Sequence, residues 1–373
     1  MADGTKIEWT DATVNVVNGC SVISPGCANC YAMRAGSRNL PGHPSTGLTM
    51  PSKAGHVWNG MVRFNARALV LPLHWRRPRT IFWNAHGDLF HNDVPDAWID
   101  RCFAVMALTP HHTHQVLTKR SARMQSYCGN PWTPQRIARV ILDEAHAWGV
   151  SGAAQLVPLG NRAREEDPSF VLWPLANVWK GVSVEDQKRA DERIPDLLAT
   201  AAAVRFLSCE PLLGPVDLTS IDLPGGWNEV FPLGQECLGR PHVDDDGRAM
   251  TRLDWVIVGG ESGPGSRPMH PDWARGLRDQ CAAAGVSFLM KQWGDWELAL
   301  DRERDDPDWR ADYSNHYVDH GNSKWLNLAG GRGFHGERFV VMRSVGKRAA
   351  GRLLDGVQHD GMPARGTSEQ VAT

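Results

Sequence analysis

Three cysteines fall within eleven residues near the start of the chain, in Gly19-Cys20-Ser21-Val22-Ile23-Ser24-Pro25-Gly26-Cys27-Ala28-Asn29-Cys30-Tyr31, a C-x6-C-x2-C spacing. The Pro25-Gly26 turn lets the chain fold back so that the thiolates can converge on one centre. Thiolates are the ligands of iron–sulfur clusters and of zinc. A structural zinc site is closed by four ligands, whereas three leave one iron of a cluster open. Cys20, Cys27 and Cys30 therefore point to an iron–sulfur cluster with a position for a further ligand. The alternatives are a zinc site completed by His43 or Cys128, or three unrelated thiols. The other five cysteines, at 102, 128, 209, 237 and 281, are scattered through strand- or helix-like segments and read as small buried residues.

Around this triplet the hydrophobic pattern alternates between short strand-like runs and amphipathic helices. Strands are expected at Thr13–Asn18, Thr80–Ala85, Thr113–Thr118, Asn177–Ser183, Val204–Ser208, Asp254–Gly259 and Val286–Lys291. Most lack strict alternation, as parallel strands covered on both faces do. One helix follows Asn92-Asp93-Val94-Pro95, with Asp93 as cap, Pro95 in its first turn, and Ile99, Cys102, Phe103 and Met106 as its buried stripe. A second lies near Glu185–Arg193 and is broken by Ile194-Pro195. A third runs from Pro271 through Trp273, Leu277 and Cys281 to Gly285. Repeated strand–helix–strand units imply right-handed crossovers and a parallel sheet. The fold class is α/β, a full or partial (β/α) barrel, with a doubly wound open sheet as competitor.

In such a barrel the chemistry sits at the C-terminal ends of the strands. After the cysteine loop of strand one, the strand ends carry His86-Gly87-Asp88, then Lys119-Arg120, Ser183 and Glu185, Glu210, Gly259-Gly260-Glu261, and Lys291-Gln292. Ionisable or small polar groups on seven strand ends are hard to explain by packing alone. Asp88, Glu185 and Glu210 are candidates for ribose or substrate contacts, with Ser183 beside them. Lys119 and Arg120 suit a carboxylate or phosphate. Gly259 and Gly260 could let a ligand approach the backbone while Glu261 accepts a hydrogen bond from an amine.

Residues 1–297 are expected to form the barrel, with insertions at about 149–176 and 219–252. Residues 298–360 should form a C-terminal cap with a basic helix at Gly346–Leu354, and residues 361–373 a disordered tail. A composition 42% hydrophobic and 22% charged is that of an ordinary folded protein, and the formal net charge of -2 gives no global argument for nucleic acid, though a local basic patch would suffice. No run approaches the roughly 18 apolar residues of a membrane span and the first residues carry no signal-peptide core, so a cytoplasmic protein is expected.

The strings IEWTDATVNVVNGCSVISPGCANCYA, IFWNAHGDLFHNDVP, HQVLTKR, NVWKGVSVEDQ, VRFLSCEPLLGPVDL, DWVIVGGESGPGSRPMHPDW and FLMKQWGDW resemble the phage and prophage three-Cys-motif proteins (gp-thirty-seven-type), over residues 7 to about 296. The cysteine motif of that family is similar to that of radical S-adenosylmethionine (SAM) enzymes, and remotely to spore photoproduct lyase, a DNA-repair member of that superfamily. The resemblance implies a radical SAM-type barrel, a [4Fe-4S] cluster, SAM as cofactor, an electron donor, and the host cytosol if the chain is phage-encoded. Two departures stand out. The common spacing is C-x3-C-x2-C with an aromatic residue before the last cysteine, where this chain has Asn29. The Gly-Gly-Glu that contacts the SAM amine follows the second strand in that superfamily and the sixth here.

The leading expectation is an enzyme that generates a 5′-deoxyadenosyl radical, acting on a nucleobase or nucleic acid. His74-Trp75-Arg76-Arg77-Pro78-Arg79, Lys119-Arg120, Gly346-Lys347-Arg348 and some of the 16 Trp residues would serve the nucleic acid. The alternative is a zinc-stabilised nucleic-acid-binding or adaptor protein without catalysis. A third reading, a metal-dependent hydrolase using His86, Asp88 and His91, leaves the cysteines unexplained.

Overall fold

Each strand of the central sheet lies beside the strand that precedes it in sequence. In this computed structural model the described residues are 4–5, 7–53, 55–153, 171–223, 229–234, 251–303, 321–329 and 338–364. The sheet comprises β1 (Ala12–Val14), β2 (Thr80–Trp83), β3 (Thr113–Thr118), β4 (Val178–Ser183), β5 (Val204–Cys209), β6 (Trp255–Gly259) and β7 (Ser287–Gln292), in that spatial order. All neighbours are parallel; His114 to Thr118 of β3, for example, pair with Val178 to Val182 of β4. A doubly wound sheet needs a reversal of strand order, and none occurs. With every right-handed crossover stepping the same way, the helices collect on one face and the sheet curls around the other. The result is a curled seven-stranded half-barrel.

The outer face packs against α2 (Asp96–Leu108), α3 (Ser121–Gly129), α4 (Thr133–Glu144), α5 (Gln187–Leu198) and α6 (Pro271–Ala284), with α1 (Tyr31–Ser37) near the first strand. Ile99, Cys102, Phe103 and Met106 of α2 are fully buried there, as their spacing predicts. The inner face is filled by a second cluster containing Trp9, Phe82, Trp179, Phe206, Trp255 and Leu289. Its rings meet edge-on or tilted, Trp9 and Phe82 at 4.8 Å and Trp179 and Trp255 at 5.9 Å between centroids. Such pairs add about 0.5–1.5 kcal/mol each beyond burial. This aromatic plug closes the lumen below the C-terminal strand ends.

Several elements differ from the sequence expectation. The first strand stops at Val14, because Asn84 Oδ1 accepts the backbone N–H groups of Val16 and Val17 at 2.9 and 2.8 Å. Val17–Asn18 then pairs with Arg63–Phe64 instead. Asp93 does not cap α2; Pro95 occupies the cap position and Asp96 supplies the acidic first turn. α5 begins later, with the Asp186 side chain capping Arg189 N, and continues through Pro195 to Leu198. Burial of Ile194, Leu197 and Leu198 holds the last turn in place against the missing proline N–H. α6 spans the expected residues and ends on Gly285 at φ 64°.

β8 (Trp296–Glu303), β9 (Ser323–Leu326) and β10 (Arg338–Ser344) form an antiparallel sheet in the order β8-β10-β9 after β7. The basic helix is only one turn, Lys347–Ala350, because Gly351 takes φ 67° and ends it. The chain then returns along β7: Met290 N donates to His359 O and Gly361 N to Phe288 O. Trp255 Nε1 donates to Gly361 O at 2.7 Å, so the expected tail starts with a residue bonded to the aromatic plug. Residues 365–373, and most of the two expected insertions (154–170, 224–228 and 235–250), lie outside the described residues. No helix among the described residues is long and apolar enough to cross a membrane.

Candidate functional site

A cavity of about 580 Å³ opens at the C-terminal ends of the strands, above the aromatic plug. Thr13, Ser183 and Ser208 face it from the strands, and Cys20, Cys27 and Cys30 from the loop after β1. That loop lies across the strand ends and is held at three places, each by a carboxylate paired with a cation.

The first anchor is Asp88. Its Oδ1 accepts from the Thr118 hydroxyl at 2.7 Å and Phe90 N at 2.9 Å; its Oδ2 accepts from Lys119 N at 3.1 Å and Arg120 Nη1 at 2.9 Å. Arg120, so oriented, donates through Nη2 to Ser21 Oγ at 2.7 Å and lies 3.6 Å from Cys20 Sγ through Nη1. His91 Nδ1 accepts from Asp93 N at 3.2 Å, which leaves the proton on Nε2 to donate to the same Ser21 oxygen at 2.9 Å.

The second anchor is Glu185, fully buried, whose Oε1 accepts from Ser24 Oγ at 2.7 Å and from Lys119. Arg193 of α5 holds the other oxygen at 3.0 Å and also donates to Ser183 O. Gly26 passes directly over this pair: a Cβ there would stand 2.5 Å from the Glu185 side chain and 2.8 Å from Lys119 Nζ.

The third anchor is Glu261, which binds Arg267 through both carboxylate oxygens and accepts from Asn29 Nδ2 at 2.8 Å. Asn29, the residue that departs from the aromatic of the common motif, is thus the loop's link to the end of β6. Burial would raise the Glu261 carboxyl, but the Arg267 and Asn29 bonds hold it below the ordinary carboxylate range. Arg34 of α1 completes the seam by donating to Asn29 O and Ser262 O.

A fourth carboxylate, Glu210, stands apart from the loop. It pairs with Lys291 Nζ at 2.5 Å and accepts from Gln292 Nε2 at 2.7 Å, and all three residues line the cavity. Gly259 leaves room for it, since a Cβ there would lie 3.2 Å from the Glu210 carboxyl. At Gly260 a Cβ would meet Trp293 O at 2.1 Å, so this glycine is required by the β6–β7 packing whether or not a ligand approaches.

Of the candidate site residues, then, Asp88, Lys119, Ser183, Glu210, Gly260 and Glu261 line one cavity with the three cysteines. Glu185 lies beneath the loop. Glu185 and Glu261 spend most of their bonding capacity on the cysteine loop and its cations, whereas Asp88 reaches the loop only through Arg120 and otherwise bonds Thr118, Phe90 N and Lys119 N. Cys128 packs in the outer core and does not line the cavity, and the His43 ring lies tilted against His86 at 5.6 Å between centroids. Sequence reasoning passed over Ser24, Asn29, Arg193 and Arg267. Arg193 was legible, as a charge on the stripe of Ala190, Ile194 and Leu197 that α5 buries.

The described cysteines are all free thiols. Burial pushes Cys20 up to about 12, and it also raises Cys30. Burial acts on Cys27 as well, yet the Lys119 ammonium and hydrogen bonds from Ile23 and Ser24 bring it below the ordinary thiol value. Lys119 itself is lowered to about 8, burial outweighing the attraction of Cys27. Among the described residues, no three His, Cys, Asp or Glu side chains are arranged to hold a metal ion. The fit of a cluster therefore rests on donor chemistry, three unpaired thiols on one cavity wall with two cations beside them. The cavity lining also includes Trp9, Asn84 and Gln292, whose Nε1, Nδ2 and Oε1 are buried with no hydrogen-bond partner among the described residues.

A family model described as Protein of unknown function (DUF5131) matches residues 4–363. No curated protein and no solved structure matches the chain.

Proposed function

The chain belongs to the DUF5131 family along nearly its whole length, and with that as premise we propose that it is an iron–sulfur enzyme of the radical SAM type. Cys20, Cys27 and Cys30 would hold a [4Fe-4S] cluster, and the cavity they line would take SAM. The observation that carries this reading is the three free thiols of one loop lining a single cavity at the C-terminal end of a parallel β/α sheet. Bound there, cluster and SAM supply hydrogen-atom abstraction by one-electron chemistry.

The protein's own share is placement. Asp88, Glu185 and Glu261 fix the loop at three strand ends, so the thiols keep their positions as the cavity fills. Lys119 and Arg120 offset the negative charge of thiolates, which must lose their protons to bind metal. The aromatic plug keeps water out from below. Thr13, Ser183, Ser208 and the Glu210–Lys291 pair offer hydrogen bonds to a ligand's polar groups, and the unpartnered atoms of Asn84 and Gln292 are what a buried polar ligand satisfies. A nucleobase in DNA or RNA is the substrate class we propose, from the phage and prophage context of the resemblance to the three-Cys-motif proteins; the resemblance itself bears on fold and cofactor.

The test is product formation. The reconstituted, chemically reduced protein incubated with SAM should release 5′-deoxyadenosine, and the Cys20→Ala, Cys27→Ala and Cys30→Ala variants should not. Stoichiometric zinc with no 5′-deoxyadenosine would replace this reading with the zinc-stabilised binding protein.

A further inference from the structure

Residues 12–87 contain eight Lys and Arg and no Asp or Glu, although the whole chain is slightly acidic. All 42 acidic residues lie outside this stretch. It comprises β1, β2 and the long connection between them: the cysteine loop, α1, and a hairpin of Thr49–Ser52 with Gly55–Trp58. A solvated surface would interleave both signs of charge, and neighbouring segments do, so an acid-free stretch of this length calls for a different explanation.

The connection is also unusually apolar on its outside. Tyr31, Leu40, Met50 and Met61 are half-exposed or more, beside Val22 and Ile23 of the cysteine loop. Among the described residues, neither Arg38 nor Lys53 has a carboxylate partner, and both are exposed. α1 packs on the hairpin, so Arg38 at the end of α1 and Met50 and Lys53 of the hairpin belong to one rim, which reaches the cavity through Tyr31 and Trp58. On the cavity side the rim carries a row of rings: Tyr31 is 6.2 Å from His86, and His86 5.6 Å from His43. The Tyr31 hydroxyl donates to Ala85 O, which fixes the ring on the rim while 57% of the residue stays exposed.

Cations without a carboxylate partner, on a stretch of chain that itself carries no acid, together with fixed rings at the entrance of a cavity, suit the holding of a single-stranded nucleic acid: charge tracks the backbone while a base stacks on an aromatic face. We propose that the β1–β2 connection is a docking rim for single-stranded nucleic acid, with Arg38 and Lys53 on phosphates and Tyr31 stacking the base that leads into the cavity. This deepens the functional reading by naming a polymeric substrate, and it stands on charge and ring placement independent of any cluster.

The experiment is fluorescence anisotropy of a labelled single-stranded oligonucleotide of about 20 nucleotides with the full chain, over a salt series. The expected result is salt-dependent binding that Arg38→Gln/Lys53→Gln weakens about tenfold at low salt, lowering the log–log salt slope by about 1.4, some 0.7 per phosphate contact. Tyr31→Ala should weaken binding with the slope unchanged. Arg139→Gln, an exposed cation on α4 paired with Asp143, should leave binding as it was. Bound iron is counted on the same samples, so failure of the cluster reading shows as absent iron with binding intact. The proposal is overturned if no salt-dependent binding occurs, or if the double variant binds like the Arg139 control. It is also overturned if polyglutamate displaces the oligonucleotide at equal charge and Tyr31→Ala has no effect, an outcome that assigns the rim to an acidic polypeptide.

Discussion

Ser24 and Glu185 are 161 residues apart in the chain, yet the Ser24 hydroxyl donates to Glu185 Oε1 at 2.7 Å beneath the cysteine loop. The same oxygen accepts from Lys119, and Arg193 holds the other one. Glu185→Gln would leave two largely buried cations without their counter-charge. Breaking a buried pair in this way costs about 3–5 kcal/mol. Chemical denaturation of the variant should show a loss of this order, together with reduced iron after reconstitution. An unchanged unfolding midpoint would mean that Glu185 does not bear on the loop.

Gly26→Ala tests the same junction from the loop side. The added methyl meets Glu185 and Lys119 well inside contact distance, and Glu185 is hemmed in by Arg193. Overpacking of this kind costs about 1–3 kcal/mol. The loss should coincide with greater accessibility of Cys27 to a thiol reagent under native conditions, as the loop lifts.

Arg120→Lys should not substitute for arginine. One guanidinium serves Asp88, Ser21 and Cys20 together, and an ammonium cannot present that fork. The expected outcome is faster alkylation of Cys20 at unchanged secondary structure, with a stability loss of about 1–3 kcal/mol for the hydrogen bonds left unmade to charged groups.

Acid should destabilise the half-barrel through His114, which is fully buried between Trp83 and Thr109. Trp83 Nε1 donates to its Nδ1 at 3.0 Å, and Nε2 lies 3.0 Å from Thr109 Oγ1. Burial first, and His112 next, lower its pKa to about 3. The folded state thus binds its proton later than the unfolded chain. The stability this group contributes is complete above about pH 6.5 and falls by about 1.4 kcal/mol per unit as pH drops toward 3. Urea unfolding from pH 7 to 4 should show the decline, and His114→Gln should flatten it.

The sheet was legible because its strands are bounded by clear breaks: Thr113–Thr118 stands as expected, and α6 is framed by Pro271 and Gly285. The mouth was legible as a place, since polar groups end every strand of a parallel sheet. What the strand-end carboxylates hold was not legible. Glu261 and Glu185 look like ligand contacts when only their positions are known. Their partners, Asn29 and Ser24, sit far away in sequence and are unremarkable by type. Asp93 and Pro195 misled for local reasons: α2 starts only at Asp96 with Pro95 in the cap position, and the helix breaker Pro195 is overruled by burial of Ile194, Leu197 and Leu198.

Everything proposed for the cavity depends on Cys20, Cys27 and Cys30 holding a four-iron cluster open to SAM. The direct measurement is the iron content and reduced-state EPR spectrum of the anaerobically reconstituted protein, with and without SAM. The expected result is about four irons per chain and a signal that shifts when SAM is added and disappears in each Cys→Ala variant. A stoichiometric zinc ion, or a cluster whose spectrum ignores SAM, would contradict it.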